Sequence, residues 1–303
     1  MNRGQTPTTS SDQDFILGTP GADIIYADAN DVVCGGDGDD KIHATDIVFG
    51  QGGNDEIWST YAFGGSGNDR IHGTSGGDQL RGGTGSDVIW GMGGNDAIHG
   101  HYNPGDRIES SGTDSGDTLY GGEGQDLVVG QGGNDRVYGE GGRDNLYGSS
   151  GNDTVSGGSG DDYVRGEAGN DLLYGGDGAD GMSGGSGSER IYGGSGPDSI
   201  HGSAGNDSLY GGPGRDWITG ADGADHLEGG TGADSLVGGD DRDRLLGGNE
   251  NDRLLGGRGA DIVKGQAGRD DCAPEPGAGS TYSCTEVGMT TSRPPTGGTY
   301  WTP

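Results

Sequence analysis

The sequence predicts an all-β chain, a two-sheet β-solenoid of nonapeptide repeats, and three observations carry that prediction. A nine-residue motif, Gly-Gly-x-Gly-x-Asp-x-U-x with U apolar, recurs along the chain: residues 64–72 (GGSGNDRIH), 82–90 (GGTGSDVIW) and 193–201 (GGSGPDSIH) are near-copies. Glycine makes up 75 of 303 residues without the three-residue period and high proline of a collagen helix, so it serves turns. Apolar residues are only 27% of the chain, yet they recur at one fixed offset. A unit this small cannot bury a core alone and has to stack on its neighbours.

The register is counted from the sixth position of the motif. Asp23, Asp31, Asp40, Asp46 and Asp55 lead to Thr60, then to Asp69, Asp78, Asp87, Asp96, Asp106 and Asp117. From there the step is nine residues without a slip: Asp126, Asp135, Asp144, Asp153, Asp162, Asp171, Asp180, Glu189, Asp198, Asp207, Asp216, Asp225, Asp234, Asp243, Asp252, Asp261 and Asp270. This reading gives 29 units, 27 of them with aspartate. The eighth position is apolar throughout, from Ile25 and Val33 through Val137 and Leu146 to Val263 and Cys272.

Each unit divides into two elements. The first six residues are turn chemistry, because glycine reaches the positive φ values that tight turns need. The last three, such as Val-Ile-Trp at 88–90, form a very short strand whose middle residue faces one way and whose flanks face the other. With successive strands alternating between two sheets, 18 residues complete a coil and all eighth-position residues meet between the sheets. About 14 coils at the ~4.8 Å strand spacing give a rod roughly 65–70 Å long.

Composition excludes several partners. A formal net charge of −32 argues against nucleic acid or an anionic membrane surface unless cations intervene. No apolar run approaches membrane-spanning length, and residues 1–17 lack the apolar stretch of a cleaved signal peptide. So few apolar groups and so dense a row of carboxylates leave the fold short of stabilising energy, which a bound cation would supply.

The repeat closely resembles the RTX, or haemolysin-type, calcium-binding nonapeptide repeat over roughly residues 18–270. That resemblance implies a parallel β-roll with multiple Ca2+ ions, each held between turns 18 residues apart by sixth-position aspartates and glycine-turn carbonyls. It assigns metal ligation to Asp69, Asp78, Asp87 and Asp96, and to every aspartate of the run from Asp126 to Asp270, with Asp126/Asp144, Asp144/Asp162 and Asp135/Asp153 as sharing pairs. Calcium accepts six to eight oxygens in flexible geometry, which suits such a site. Glu189 adds a methylene and puts its pairs with Asp171 and Asp207 in question. Asp241 and Glu250 replace glycine at the fourth position, either straining the turn or supplying extra ligands, with strain the preferred reading. Shortened units around Asp31, Asp46 and Thr60, and steps of 10 and 11 between Asp96 and Asp117, predict an irregular amino-terminal third with fewer ions.

The outward positions are read conservatively. Tyr120, Tyr138, Tyr174, Tyr192 and Tyr210 share one sheet, with Ser156 interrupting the row; a cross-strand stacking ladder is preferred over a surface for a cell-surface glycan or protein partner. His43, His72, His99 and His201 sit at ninth positions without the close spacing of a zinc signature. Cys272 takes the last core position, and Cys284 follows a loop that could bend back to it, so a disulfide cap is preferred over free thiols, implying an oxidising compartment. Cys34 is left over.

The expected organisation is a flexible segment at 1–17, an irregular roll at 18–120, a regular roll at 121–273, and a cap with a flexible tail at 274–303. The function read from the sequence is calcium binding by a secreted, extracellular, non-enzymatic roll, folded and held rigid by its ions. Family members commonly leave bacteria unfolded by type I secretion, although this tail lacks an evident amphipathic export helix. The alternatives are an adhesive or surface-layer spacer using the tyrosine face, and the detached repeat module of a secreted enzyme.

Overall fold

The computed structural model of the chain describes residues 13–101, 115–273 and 280–284. Within them thirty strands, from β1 (Phe15–Leu17) to β30 (Thr281–Ser283), alternate between two parallel sheets of fifteen, odd-numbered strands in one and even-numbered in the other. The result is a parallel β-roll without a helix among the described residues. Each strand pairs with the strands two before and two after it. Thus β14 (Arg136–Gly142) lies between β12 (Thr118–Gly124) and β16 (Thr154–Ser159), with Val137 opposite Leu119 and Val155.

The eighth-position residues form one continuous core between the sheets, and from Val33 to Val263 nearly all of them are fully buried. Their flanks point outward, as alternation along a strand requires. In most of the roll the strands are longer than the three residues expected. In β16 the pairing runs on through the first turn residues, Gly158 opposite Glu140 and Ser159 opposite Gly141, and Gly157 is buried like Val155. The extension is possible because the second position bends the chain at positive φ. Gly158 sits at 112°, and non-glycine residues are forced there too, Glu140 at 75° and Gln131 at 78°. Asp241 and Glu250 are held at φ 71° and 74°, consistent with the strain reading, and the Glu250 carboxylate accepts the Gly232 amide at 2.9 Å.

Two boundaries differ from expectation. The roll begins inside the segment assigned to a flexible start, because Phe15, Ile16 and Leu17 pair with Val32, Val33 and Cys34. The 10- and 11-residue steps are not separate units: β10 (Val88–Trp90) pairs directly with β12, and β11 (Ala97–His99) with β13 (Leu127–Gly132). No described strand intervenes between β11 and β12, and the unit counted at Asp106 lies outside the described residues. The 274–279 loop, the tail from 285 and residues 1–12 lie outside them as well.

The tyrosine row is a stacking ladder, longer than the sequence suggested. On the even sheet Tyr26, His43, Trp58, His72, Trp90, Tyr120 and Tyr138 follow one another at 4.0–6.0 Å between ring centroids, with planes within 11° of parallel. Ser156 interrupts the row, and Tyr174, Tyr192 and Tyr210 resume it at 5.2 and 4.9 Å. At the carboxyl end, Cys272 on β29 (Asp271–Ala273) is bonded to Cys284, just beyond β30. Cys34 is a free, half-buried thiol.

Candidate metal centres along the two edges

The turns stack into two edges, one made of odd-to-even connections and the other of even-to-odd connections. On each edge the sixth-position aspartates form a ladder. Asp126 donates its backbone N–H to Oδ1 of Asp144 at 2.9 Å, Asp144 to Asp162 at 2.9 Å, and so on through Asp180, Asp198, Asp216, Asp234 and Asp252 to Asp270. On the other edge the same bond links Asp117, Asp135, Asp153 and Asp171, and later Glu189, Asp207, Asp225, Asp243 and Asp261. The sharing pairs read from the repeat are therefore neighbours in space.

One oxygen of each carboxylate is thereby used. The other, Oδ2, is buried without a hydrogen-bond partner in Asp69, Asp96, Asp126, Asp144, Asp153, Asp162, Asp171, Asp180, Asp198, Asp207, Asp216, Asp225, Asp234, Asp243, Asp252 and Asp270. Asp87 and Asp135 are equally buried on the same ladders. An isolated buried carboxylate oxygen is costly, and a periodic row of them calls for a counter-ion. The first-position glycines keep space open beside these oxygens. A Cβ on Gly121 would stand 2.6 Å from Asp126 Oδ2 and 2.9 Å from the Gly139 carbonyl; one on Gly202 would stand 2.5 Å from Asp207 Oδ2 and 2.8 Å from the Gly220 carbonyl. A carboxylate oxygen and a carbonyl of the next coil thus converge where only glycine fits.

No three His, Cys, Asp or Glu side chains gather into a cage among the described residues. An ion here would rest on carboxylates supplemented by main-chain carbonyls, an all-oxygen set that suits a hard cation such as calcium. Burial raises many of these carboxylates in the ion-free chain. Asp69 is pushed up to about 8, by loss of solvent first and then by the neighbouring Asp87 and Asp55 charges, against the opposing hydrogen bond from the Asp55 amide. Asp144, Asp153 and Asp243 rise to about 7 and Asp55 to about 6, each chiefly by burial.

Two of the residues assigned from sequence differ from the rest. Asp78 is buried but satisfied within its own turn, where Thr74 donates its backbone N–H to Oδ2 at 2.5 Å and its hydroxyl to Oδ1 at 3.0 Å. Thr19 holds Asp23 in the same way. Asp261 ends its ladder on the Ser280 hydroxyl, 3.1 Å from its amide. Conversely, Asp40 and Asp55 were outside the assigned set, yet they stand on the ladder with buried, unpartnered Oδ2 atoms, and Asp117 bridges Asp87 and Asp135. Their signal was the spacing between alternate units, hidden by the short units between them. Glu189 breaks its ladder: no bond joins the Asp171 amide to it, and both its carboxylate oxygens are buried without partners. Burial and then the adjacent Asp207 charge push Glu189 up to about 8.

The pattern of the RTX calcium-binding nonapeptide repeat, in its four-copy form, matches residues 8–42, 44–59, 72–101, 111–146, 147–182, 183–218, 219–254 and 246–278, most of the chain. The chain belongs to that family. RTX repeats bind calcium in general, and the edge ladders are where the repeat concentrates its oxygen donors here. Comparison with curated proteins gave no match. No helix among the described residues is long and apolar enough to cross a membrane.

Proposed function

We propose that this chain is a secreted, non-enzymatic calcium-binding roll whose ions occupy the two edge ladders, fold the chain and hold it rigid. The observation that carries this reading is the row of buried Oδ2 atoms without partners, most of them in a glycine cradle that a carbonyl of the next coil also enters. Asp69, Asp87 and Asp96 and the run from Asp126 to Asp270 are the ligands, joined by Asp40, Asp55 and Asp117. Asp78 and Asp261 contribute least, because Thr74 and Ser280 already bond them. When bound, calcium supplies positive charge that lets adjacent buried carboxylates ionise together. The Cys272–Cys284 bond supports an oxidising compartment and hence secretion.

The test is a calcium titration followed by circular dichroism. A disordered spectrum in chelator and a cooperative gain of β-structure at about 0.1–1 mM calcium are expected. Magnesium should be much less effective, since it demands a tighter octahedral shell. A fully folded chain in excess chelator would sink the reading.

A further inference from the structure

The basic side chains of the even sheet fall into an order that calcium binding does not use. Along its outward seventh-position row stand Arg70 on β8 (Arg70–His72), Arg136 on β14, Arg190 on β20 (Arg190–Ser195) and Arg244 on β26 (Arg244–Asn249), all exposed. Three strand steps separate each from the next. Val88 and Thr118 lie between the first two, Thr154 and Leu172 between the second two, and Ser208 and His226 between the last two. At ~4.8 Å per step the guanidinium-bearing positions recur about every 14 Å along the roll. This spacing is set by strands and not by sequence separation, since Val88 pairs directly with Thr118.

No acidic residue interrupts the row between Arg70 and Ile262. Arg136, Arg190 and Arg244 make no ion pair or side-chain hydrogen bond, whereas Lys41, earlier in the row, is paired with Glu56. On the outward flanks of the core residues of this sheet the acidic residues among the described ones are Glu56 and Glu228, while the exposed Glu123, Glu140 and Asp177 lie in the glycine-rich extensions of β12, β14 and β18 (Leu172–Asp177). Beside the arginines runs the aromatic row.

We propose that the even sheet's outer face docks a linear anionic polysaccharide lying along the roll. Charge complementarity selects a polyanion, and the wide regular pitch selects a sparsely contacted one. Duplex DNA carries a charge about every 1.7 Å and is normally met by a dense basic surface. Single-stranded nucleic acid needs open aromatic faces for its bases. Here the rings cover one another and offer mainly their edges and polar tips, while Thr118, Thr154 and Ser208 offer hydroxyls between the arginines. Sugar hydroxyls and spaced carboxylates or sulfates match that surface. The proposal rests on the calcium reading, because only with the edge carboxylates neutralised does the local positive row outweigh a chain charge of −32.

The experiment uses the full chain at saturating calcium, with oligogalacturonides of increasing length as probe and dextran and duplex DNA as comparisons, measured by calorimetry. Wild type should bind oligogalacturonide in a salt-sensitive way, with affinity rising once the oligomer spans two arginines. The combined Arg136→Ser, Arg190→Ser and Arg244→Ser variant should lose at least about tenfold, the equivalent of 1.4 kcal/mol. Arg190→Ser alone should lose a few-fold, and Arg253→Ser on the odd sheet should lose nothing. Serine already occupies this row at Ser208, and circular dichroism with calcium checks that each variant folds. Undiminished binding by the triple variant, equal binding of dextran, tighter binding of duplex DNA, or no binding of oligogalacturonide at low salt would each overturn the proposal. Folding without calcium would defeat the calcium reading instead, and the arginine comparison would still be read.

Discussion

The two edges of the amino-terminal coils are built differently, although the same strands connect them. On the odd-to-even edge the turns before β4 (Lys41–His43), β6 (Glu56–Trp58) and β8 are full, and Asp23, Asp40, Asp55, Asp69 and Asp87 form an unbroken ladder. On the even-to-odd edge the turns are cut: from core residue to core residue the step falls to eight between Ile25 and Val33, six between Ile42 and Val48, and five between Ile57 and Ala62. There the carboxylates are satisfied by amides, Asp31 by the Asp14 and Asp28 N–H groups at 3.0 and 3.1 Å and Asp46 by Asn30. Ala44 and Ser59 fill the space that a glycine turn would occupy. In the regular run both edges carry orphaned oxygens. An aspartate in this fold is thus a candidate ion ligand only where its turn is long enough to leave Oδ2 unsatisfied.

The largest expected effect breaks that comparison directly. Asp55→Ala and Asp31→Ala remove carboxylates from opposite edges of the same end of the roll. Asp55→Ala should reduce calcium stoichiometry and raise the folding midpoint; at calcium ten times Kd each lost ion removes about 1.4 kcal/mol. Asp31→Ala should instead destabilise the chain by about 1–3 kcal/mol through its two unsatisfied amides, with stoichiometry unchanged. Equal loss of calcium from both variants would show that turn length does not decide ligation. Asp153→Ala, in the regular run, should behave like Asp55→Ala because it touches both Asp135 and Asp171.

A pH titration tests the ladders of both edges together. In the ion-free chain Asp55, Asp144 and Asp69 on the ladders have pKa values raised above the unfolded value of about 3.9, to about 6, about 7 and about 8. A raised folded pKa means that the stabilisation by bound protons is complete below the unfolded value and is lost as pH climbs through the folded one. Calcium-free chain should therefore regain β-structure on acidification from pH 8 to 5. Calcium must displace those protons, so the calcium midpoint should rise over the same fall in pH. A midpoint indifferent to pH between 8 and 6 would mean that the ladder is already ionised without metal.

Glu189→Asp should sharpen the comparison in the opposite direction, by repairing the one interruption in the regular odd-to-even ladder. The shorter side chain would let the Asp171 amide reach its carboxylate as at every neighbouring step. A modest fall in the calcium midpoint and a gain of calcium stoichiometry are expected by isothermal titration. No change in either would place Glu189 among working ligands despite its extra methylene.

Much of this was readable in advance, and the failures have physical causes. The eighth-position core and the aspartate spacing of 18 could be counted from Leu119 to Val263, because strict nine-residue steps map one to one onto coils. Asp40 and Asp55 are hard to place on the ladder from sequence, because the short units flanking them obscure a row that runs through alternate turns. Asp78 has the regular spacing of a ligand, and Thr74, at the second position, is the one residue that marks a turn bonding its own carboxylate.

The smallest effect is expected at the carboxyl end, where β29 and β30 are the last strands among the described residues. The last core residues meet Tyr282, which packs partly buried against them, and β30 pairs Tyr282 with Val263. The bond from Cys272 to Cys284 ties that strand to β29 across the end of the core. Closing a loop of 12 residues contributes about 3 kcal/mol by the chain-entropy argument. Because repeat arrays lose structure from their ends, that contribution is felt locally and not in the global midpoint. Cys284→Ser at saturating calcium should leave the main folding transition nearly unchanged while speeding amide exchange in β27 (Arg253–Gly257) and β28 (Ile262–Ala267). Exchange that accelerates equally in β14 would mean the bond stabilises the whole roll; unchanged exchange in both would mean Ser280 and the β28–β30 pairing already suffice to close the end.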